Sequence, residues 1–502
     1  MRKHLHIFLS TFLILAATTS QSQVGLFTSN SDVGEPALKG NTVYDATEQT
    51  YHLSAAGKNI WARADELQFV WKKIKGDFII KATVKFLAPG INGHRKLGIM
   101  AREKLTTDSK YADGAFHGGQ PLLTSLQYRM ADGDTTGQVI LSSIHPTEIE
   151  LERSGNTFTL SAAVFGENYK SVQKEIQLAD ELFVGLYLCS HDEKVIENAQ
   201  FSNVRIIIPP AKNYRQYRDY IGSHLEVMDV STGHRKILLT TPGSIQAPNW
   251  TRDGRYLIYN SAEGLLYKYD LNSKQVSALN TGFATSNNND HVLSPDGKSI
   301  AISHYVGPTR RSTIFTLPLT GSDNPTKITS EDSGHSFLHS WSPDGKKLLF
   351  TGQRNNQWDI WSVDIATKKE TNLTNMPTLD DGSEYSPDGK WIYFNSVRTG
   401  TMKIWRMKPD GSQQEQVTYD EYNDWFPHFS PDGKWIVYIS FPKEMDPTTH
   451  PFYQKVYLRL MPASGGVPKT IAYIYGGQGT INVPSWSPDS KKIAFVSNTN
   501  DK

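Results

Sequence analysis

The sequence predicts an all-β protein in which a β-sandwich is followed by a six-bladed β-propeller, and three observations carry that expectation. The pentapeptide Ser-Pro-Asp-Gly-Lys recurs at 294–298, 342–346, 386–390 and 430–434, with looser copies at 251–255 and 487–491. Measured between the aspartates, the intervals are 43, 48, 44, 44 and 57 residues, the length of one four-stranded blade. Apolar and aromatic runs follow the turns, as in Trp391-Ile392-Tyr393-Phe394 and Trp435-Ile436-Val437-Tyr438, which suits strands buried between neighbouring sheets. Upstream, residues 24–209 lack the repeat but alternate apolar and polar residues over many short segments broken by Gly, Asn and Asp, the pattern of a sandwich.

At the start of the chain, residues 1–23 read as an export signal. Arg2 and Lys3 form a positive start, Ile7 to Ala17 an apolar stretch of 11, and 18–23 a small, polar cleavage region with processing after Ser20 or Ser22. The stretch is too short to span a membrane, and no later segment reaches 18 apolar residues. No Cys stands near the cleavage region, which argues against a lipid anchor, so a soluble periplasmic or secreted protein is expected. Loss of the leader leaves 50 basic against 51 acidic side chains, a balance without the basic excess of a nucleic-acid binder. The single Cys189 lies in an apolar run, so no internal disulfide can form and the thiol reads as buried and inert.

Within 24–209, Phe78, Ile80, Ala82, Val84 and Phe86 fall on one face of a strand and lysines on the other. Further strands are expected near 97–102, 122–130, 139–143, 148–153, 157–164, 182–188 and 199–208. The Pro- and Tyr-containing stretch 210–224 reads as a linker docked by its tyrosines. In the repeats, Pro sets φ, Asp takes the second turn position and Gly accepts the left-handed conformation, so each motif joins two antiparallel strands. Third strands follow at 265–270, 313–318, 359–364, 403–408 and 455–460. The last anchor, Asp489, is followed by only one more strand before Lys502. Segments 225–230 and 236–239 read as the missing third and fourth strands, so a blade shared two-plus-two between the ends would close the ring over 225–502 without an open edge.

The W/F-S-P-D-G-K-x-I-x-F pattern resembles the TolB-type (PD40) β-propeller repeat over about 280 residues, here 225–502. Members of that family include envelope scaffolds, propeller regions of peptidases and propeller polysaccharide lyases, so the resemblance implies fold more than function. The phrases Glu150 to Thr159, Val184-Gly185-Leu186-Tyr187 and Phe201 to Ile206 are similar to concanavalin-like jelly-roll domains of the laminin-G and lectin superfamily. That resemblance implies sugar binding by aromatic stacking, for which Trp61, Trp71, Tyr111, Phe116 and Tyr128 are present, although such residues more often pack in cores.

Catalytic signatures are missing: there is no G-x-S-x-G elbow, no H-E-x-x-H and no phosphate-binding loop. The chemistry is expected at the propeller rim. Segments entering the first strands, at 287–291, 335–339, 380–384, 424–428 and 478–482, are polar, and with the loops between second and third strands they are expected to line one funnel. The ligand-binding candidates are Asp290, His291, His304, His335, His339, Asp381, Glu384, Asp424, Trp425, His428 and Gln478. Two readings stay open. In the first, these groups surround a polar channel that recognises an extracellular or envelope glycan or a protein partner. In the second, which the likeness to propeller lyases implies, His291, His339 and His428 with Gln353 or Glu384 hold a divalent metal ion, the one cofactor candidate. His339, His428, Arg354 or Arg398 would then take the proton alpha to a uronate in an acidic polysaccharide. Whether the protein is an enzyme stays open between them.

Overall fold

The computed structural model describes residues 23–119, 122–142 and 145–500; the expected leader lies outside them apart from Gln23. The first part is a pair of seven-stranded antiparallel sheets. One runs, in spatial order, Ser29–Val33, Leu67–Lys75, Glu181–Cys189, Lys96–Arg102, Tyr111–His117, Leu123–Arg129 and Gly137–Ser142. The other runs Lys170–Glu175, Thr157–Ala163, Glu148–Ser154, Phe78–Phe86, Asp192–Ile207, Thr50–Gly57 and Asn41–Asp45. A shared core between them takes Phe78, Ile80, Ala82 and Val84 from one sheet and Leu97, Ile99, Leu126 and Leu186 from the other, as period-two alternation requires. Cys189 is buried, and burial pushes its thiol up to about 12.

The second part is a six-bladed propeller. Five sheets have four strands each, in chain order, the first being Ile245–Trp250, Tyr256–Ser261, Leu266–Asp270 and Val276–Ala278. The repeated turn works identically each time. In 430–434, Ser430 Oγ donates to Asp432 Oδ1 at 2.6 Å and accepts from Trp435 N at 3.0 Å, while Lys434 N donates to the same carboxylate at 3.1 Å. The same set recurs around Ser294, Ser342, Ser386 and Ser487. Gly433 has φ 71°, and in the last copy Ser490 takes φ 62° in glycine's place. The sixth sheet joins the two ends: Gly222–Asp229 lies between Arg235–Thr241 and Lys492–Thr499, with Leu225 opposite Val496 and Val227 opposite Ala494. Where a full inner strand was expected before Ser487, there is only a single bridge, Trp486 to Ile493, so this sheet has three strands.

The first part is seated on this closing sheet. Glu226, wholly buried, accepts from Arg235 (Nη2 2.8 Å, Nε 3.0 Å), from Ser497 Oγ (2.5 Å) and from Arg205 Nη2 of the sandwich sheet (2.5 Å). Beside it Lys81 pairs with Glu150 at 3.0 Å and donates to Tyr473 O, and Lys455 contacts Glu150 and Glu152. Tyr169 stacks on Tyr473 with ring centres 3.6 Å apart. The lysine face of 78–86 is therefore no solvent face at Lys81, and Ile79 packs there with Ile207, Phe452 and Tyr475. The linker is docked by its tyrosines: Tyr214 against Tyr453, and Tyr217 and Tyr220 against Phe452, at 5.1–5.8 Å. Among the described residues no helix is long and apolar enough to cross a membrane.

Candidate functional site

Of the five polar segments expected to enter the first strands, 478–482 lies outside any strand and the other four are those strands themselves: Asn287–Leu293, Ser336–Trp341, Asp380–Tyr385 and Asn423–Phe429. Each breaks register against its neighbour, between Asn287 and His291, Leu338 and Ser340, Asp381 and Glu384, and Trp425 and His428. A bulge turns side chains out of the sheet's alternation, and Asp290, His339 and Phe426 sit inside these bulges. They face a cavity of about 550 Å3 that Asp381, Thr351, Tyr305, Phe337, Trp358, His450, Gln478, Asn482 and the linker's Tyr217 also line. Four blades and the interdomain linker thus contribute to one funnel.

Its electrostatic centre is Asp381. Its Oδ1 accepts from Thr351 Oγ1 (2.6 Å), Gly382 N (2.7 Å) and His339 Nε2 (2.9 Å), while His450 Nε2 stands 3.8 Å from Oδ2. Burial alone would raise this carboxyl, but the hydrogen bond and charge of His339 outweigh it and hold Asp381 at about 2. Burial works against the His339 imidazolium, and the Asp381 partnership reverses this and raises it. Asp290 lacks such a partner: burial, with the like charge of Asp381 added, lifts it to about 7 despite His339. His450, held edge-on by Trp425 at 4.6 Å, is lowered by burial.

Of the sequence candidates, Asp290, His339, Asp381 and Gln478 line this funnel, and the others lie elsewhere. His291 faces Ile258 O at 3.3 Å in the wall, where burial lowers it to about 4. His304 accepts from Ser286 N and sits edge-on to Phe283 and Phe315. His335 accepts from Ser312 N and stacks on Phe337 from behind. Asp424 is buried under Ser440 Oγ at 2.6 Å, and burial raises it to about 6. Trp425 is core. Glu384 accepts from His428 Nδ1 (2.7 Å) and Phe429 N (2.9 Å), and His428 Nε2 meets Ile481 O at 2.7 Å. This is a bolt across three blades, and Glu384 opens to the opposite mouth, a cavity of about 310 Å3 walled by Trp250, Trp341, Tyr385, Phe429 and Trp486.

The four residues considered as a metal set, His291, His339, Gln353 and His428, do not converge. Both His428 nitrogens are already engaged, by Glu384 Oε2 and Ile481 O at 2.7 Å each, and among the described residues no group of three His, Cys, Asp or Glu is arranged to hold a metal. The arginines considered as bases turn back into their sheets. Arg354 pairs with Glu370 at 2.9 Å and donates to His335 O; Arg398 pairs with Asp380 at 2.9 Å and donates to Gln414. Their guanidiniums stack over Trp361 and Trp405, so neither lines the funnel. Sequence reasoning missed Tyr305, Trp358, Thr351 and Tyr217. Tyr305 and Trp358 flank the hairpins between second and third strands, which were already assigned to this face and could have pointed to them.

In the sandwich, Tyr111 and Phe116 are buried, and Trp71 packs edge-on against Phe183. Trp61 is 36% exposed.

A family model described as the TolB beta propeller domain (PD40) matches residues 293–451. An uncharacterised protein of Agrobacterium fabrum, Atu1656, is 45% identical over 275 residues, 55% of this chain and 92% of that protein. The Tol-Pal system protein TolB of Francisella tularensis subsp. tularensis is 27% identical over 34% of this chain and 49% of its own length. A solved Agrobacterium tumefaciens structure described as a TolB superposes with TM-score 0.53 and 43% identity, over 56% of this chain and 99% of that one. With the six sheets and their repeated turns, these matches place the chain in the family of TolB-like PD40 β-propeller proteins.

Proposed function

We propose that this is an exported recognition protein whose propeller funnel binds an extracellular or envelope partner, and that the partner presents a glycan chain end. The observation that carries the reading is the composition of the cavity. Aromatic faces (Tyr217, Tyr305, Phe337, Trp358, Phe426) stand among amides, carboxylates and imidazoles (Asn482, Gln478, Asp290, Asp381, His339) in a volume of about 550 Å3. That size and mixture suit a small polar ligand with apolar ring faces. A protein partner reaching in with a loop is the other occupant of the same reading. The uronate lyase alternative has little to draw on, since neither a guanidinium nor a metal set lines the funnel to neutralise an acidic sugar.

The same proposal takes 1–23 as a leader and 24–209 as a concanavalin-like module auxiliary to the funnel. It takes 210–224 as the connecting linker and 225–502 as the propeller closed two-plus-two, the bridge at Trp486 standing in for the inner strand. A glycan array followed by calorimetric titration tests it. Trp358→Ala should weaken the ligand found by about fivefold or more, the equivalent of about 1 kcal/mol, while leaving the thermal transition in place; His339→Ala should weaken it at least as much and also lower the transition, because Asp381 loses its counter-charge. An array without binders removes the glycan and leaves only the protein loop as occupant, and binding indifferent to both changes overturns the funnel as the site.

A further inference from the structure

We propose that the sugar bound in the funnel carries a free, protonated amino group seated on Asp290, so that the ligand is an amino sugar and neither an acidic nor an N-acetylated one. The inference rests on the funnel being the glycan site. Among the described residues no lysine or arginine lines the cavity, and its charged groups are Asp290, Asp381, His339 and His450. Asp381 has its donors already, in Thr351, Gly382 N and His339. Asp290 has only neutral help, from the Asn288 side chain: the residue is 5% exposed, faces the cavity, and has no cation within 4 Å among the described residues.

The surroundings of Asp290 match the same ligand. Its backbone N donates to Asn288 Oδ1 at 3.0 Å, which fixes the bulge that aims the side chain inward. The positive group that acts on it, His339, is committed to Asp381. A nearly buried carboxylate without a counter-charge is costly, and burial accordingly lifts Asp290 to about 7, so that it holds its proton far more readily than an exposed carboxyl while the funnel is empty. A ligand ammonium would supply the missing charge, and Tyr305, Phe337 and Trp358 offer ring faces on which a cation is further stabilised. Arg310, whose guanidinium lies over Tyr305 at 4.8 Å, opens into the neighbouring cleft with Glu263. An acidic sugar would meet the like charge of Asp381 and, once ionised, of Asp290, while the imidazolium of His339 is already committed to Asp381; an acetylated sugar would bring no charge to Asp290.

The test is calorimetric titration of the full-length protein at neutral pH with three tetrasaccharides: a glucosamine oligomer, its N-acetylated counterpart and a neutral glucose oligomer. A free-amino tetrapeptide serves as a fourth probe. The glucosamine oligomer should bind about tenfold more tightly than the other sugars, the equivalent of about 1.4 kcal/mol, and that advantage should shrink as the pH is raised and the sugar amine loses its proton. Asp290→Asn should remove it, with thermal unfolding checking that the variant is folded; the pH response of the unaltered protein tests the same claim without any variant. Equal affinity for the three sugars, a preference for the acetylated one, tighter capture of the tetrapeptide, or an advantage that survives Asp290→Asn or deprotonation of the amine would each overturn the proposal. Binding of neutral sugars without an amine preference would leave the funnel reading standing, whereas no binding of any sugar would remove this proposal and the glycan reading on which it rests.

Discussion

Replacing Glu226 by Gln probes the seam where both chain ends and the sandwich meet. The carboxylate is 0% exposed and faces Arg205, Arg235 and Ser497, which come from three different segments. Burial would raise it, but the charges and hydrogen bonds of Arg205 and Arg235 hold it well below the usual carboxylate range. Gln keeps the shape and removes the charge, leaving two buried guanidiniums without a counter-ion, a change that costs about 3–5 kcal/mol. At about 2 °C per kcal/mol for a unit of this size, the thermal transition at neutral pH should fall by about 6–10 °C.

Because the folded-state value lies below the unfolded one, this stabilisation is fully present above the ordinary Glu range, near about 4.3, and is lost as pH falls through the folded-state value. The gap between wild type and variant should therefore narrow in strong acid. Differential scanning calorimetry from neutral to acidic pH reads both. A shift below about 2 °C at neutral pH, equivalent to about 1 kcal/mol by the same scaling, or a gap that widens with acid, would refute the reasoning.

Two further expectations concern the turn and the domain contact. Ser430→Ala removes a hydroxyl that both donates to Asp432 and accepts from Trp435 N; urea unfolding should show a loss of about 1 kcal/mol, and no loss would mean that the motif acts through its backbone alone. Lys455→Met breaks the contacts to Glu150 and Glu152, but Lys81 still pairs with Glu150 and Lys455 is partly exposed. The cost should be only about 1 kcal/mol, seen as faster limited proteolysis within 210–221, and an unchanged cleavage rate would count against a role in holding the domains together.

The propeller was legible because its information is local. Ser, Pro, Asp and Gly within five residues specify a turn through their own hydrogen bonds and φ preferences, whatever surrounds them, and the spacing of six such turns counts the sheets. The pairing of 225–230 with 492–496 was legible for a related reason: two partial sheets at opposite ends of a ring leave no other closure. The funnel was harder. His339 and Asp381 were singled out, yet so were His291 and His428, because whether a polar residue faces the axis or the wall depends on bulges that shift the register by a residue or more. Arg354 and Arg398 were misplaced because their acidic partners, Glu370 and Asp380, are brought to them by strand pairing.

By itself, then, the sequence determined that this is an all-β chain with a six-sheet ring and a repeat-free β-rich segment before it, since turn chemistry and alternation act within a few residues. Tertiary structure alone decided which side chains share the funnel, that Tyr217 of the linker joins them, and that Lys81 on the lysine face of 78–86 is buried. Those outcomes depend on contacts between residues hundreds of positions apart, such as Lys81 with Tyr473 or Lys455 with Glu152. Their energies come from desolvation and pairing, which exist only once the ring and the sandwich have met.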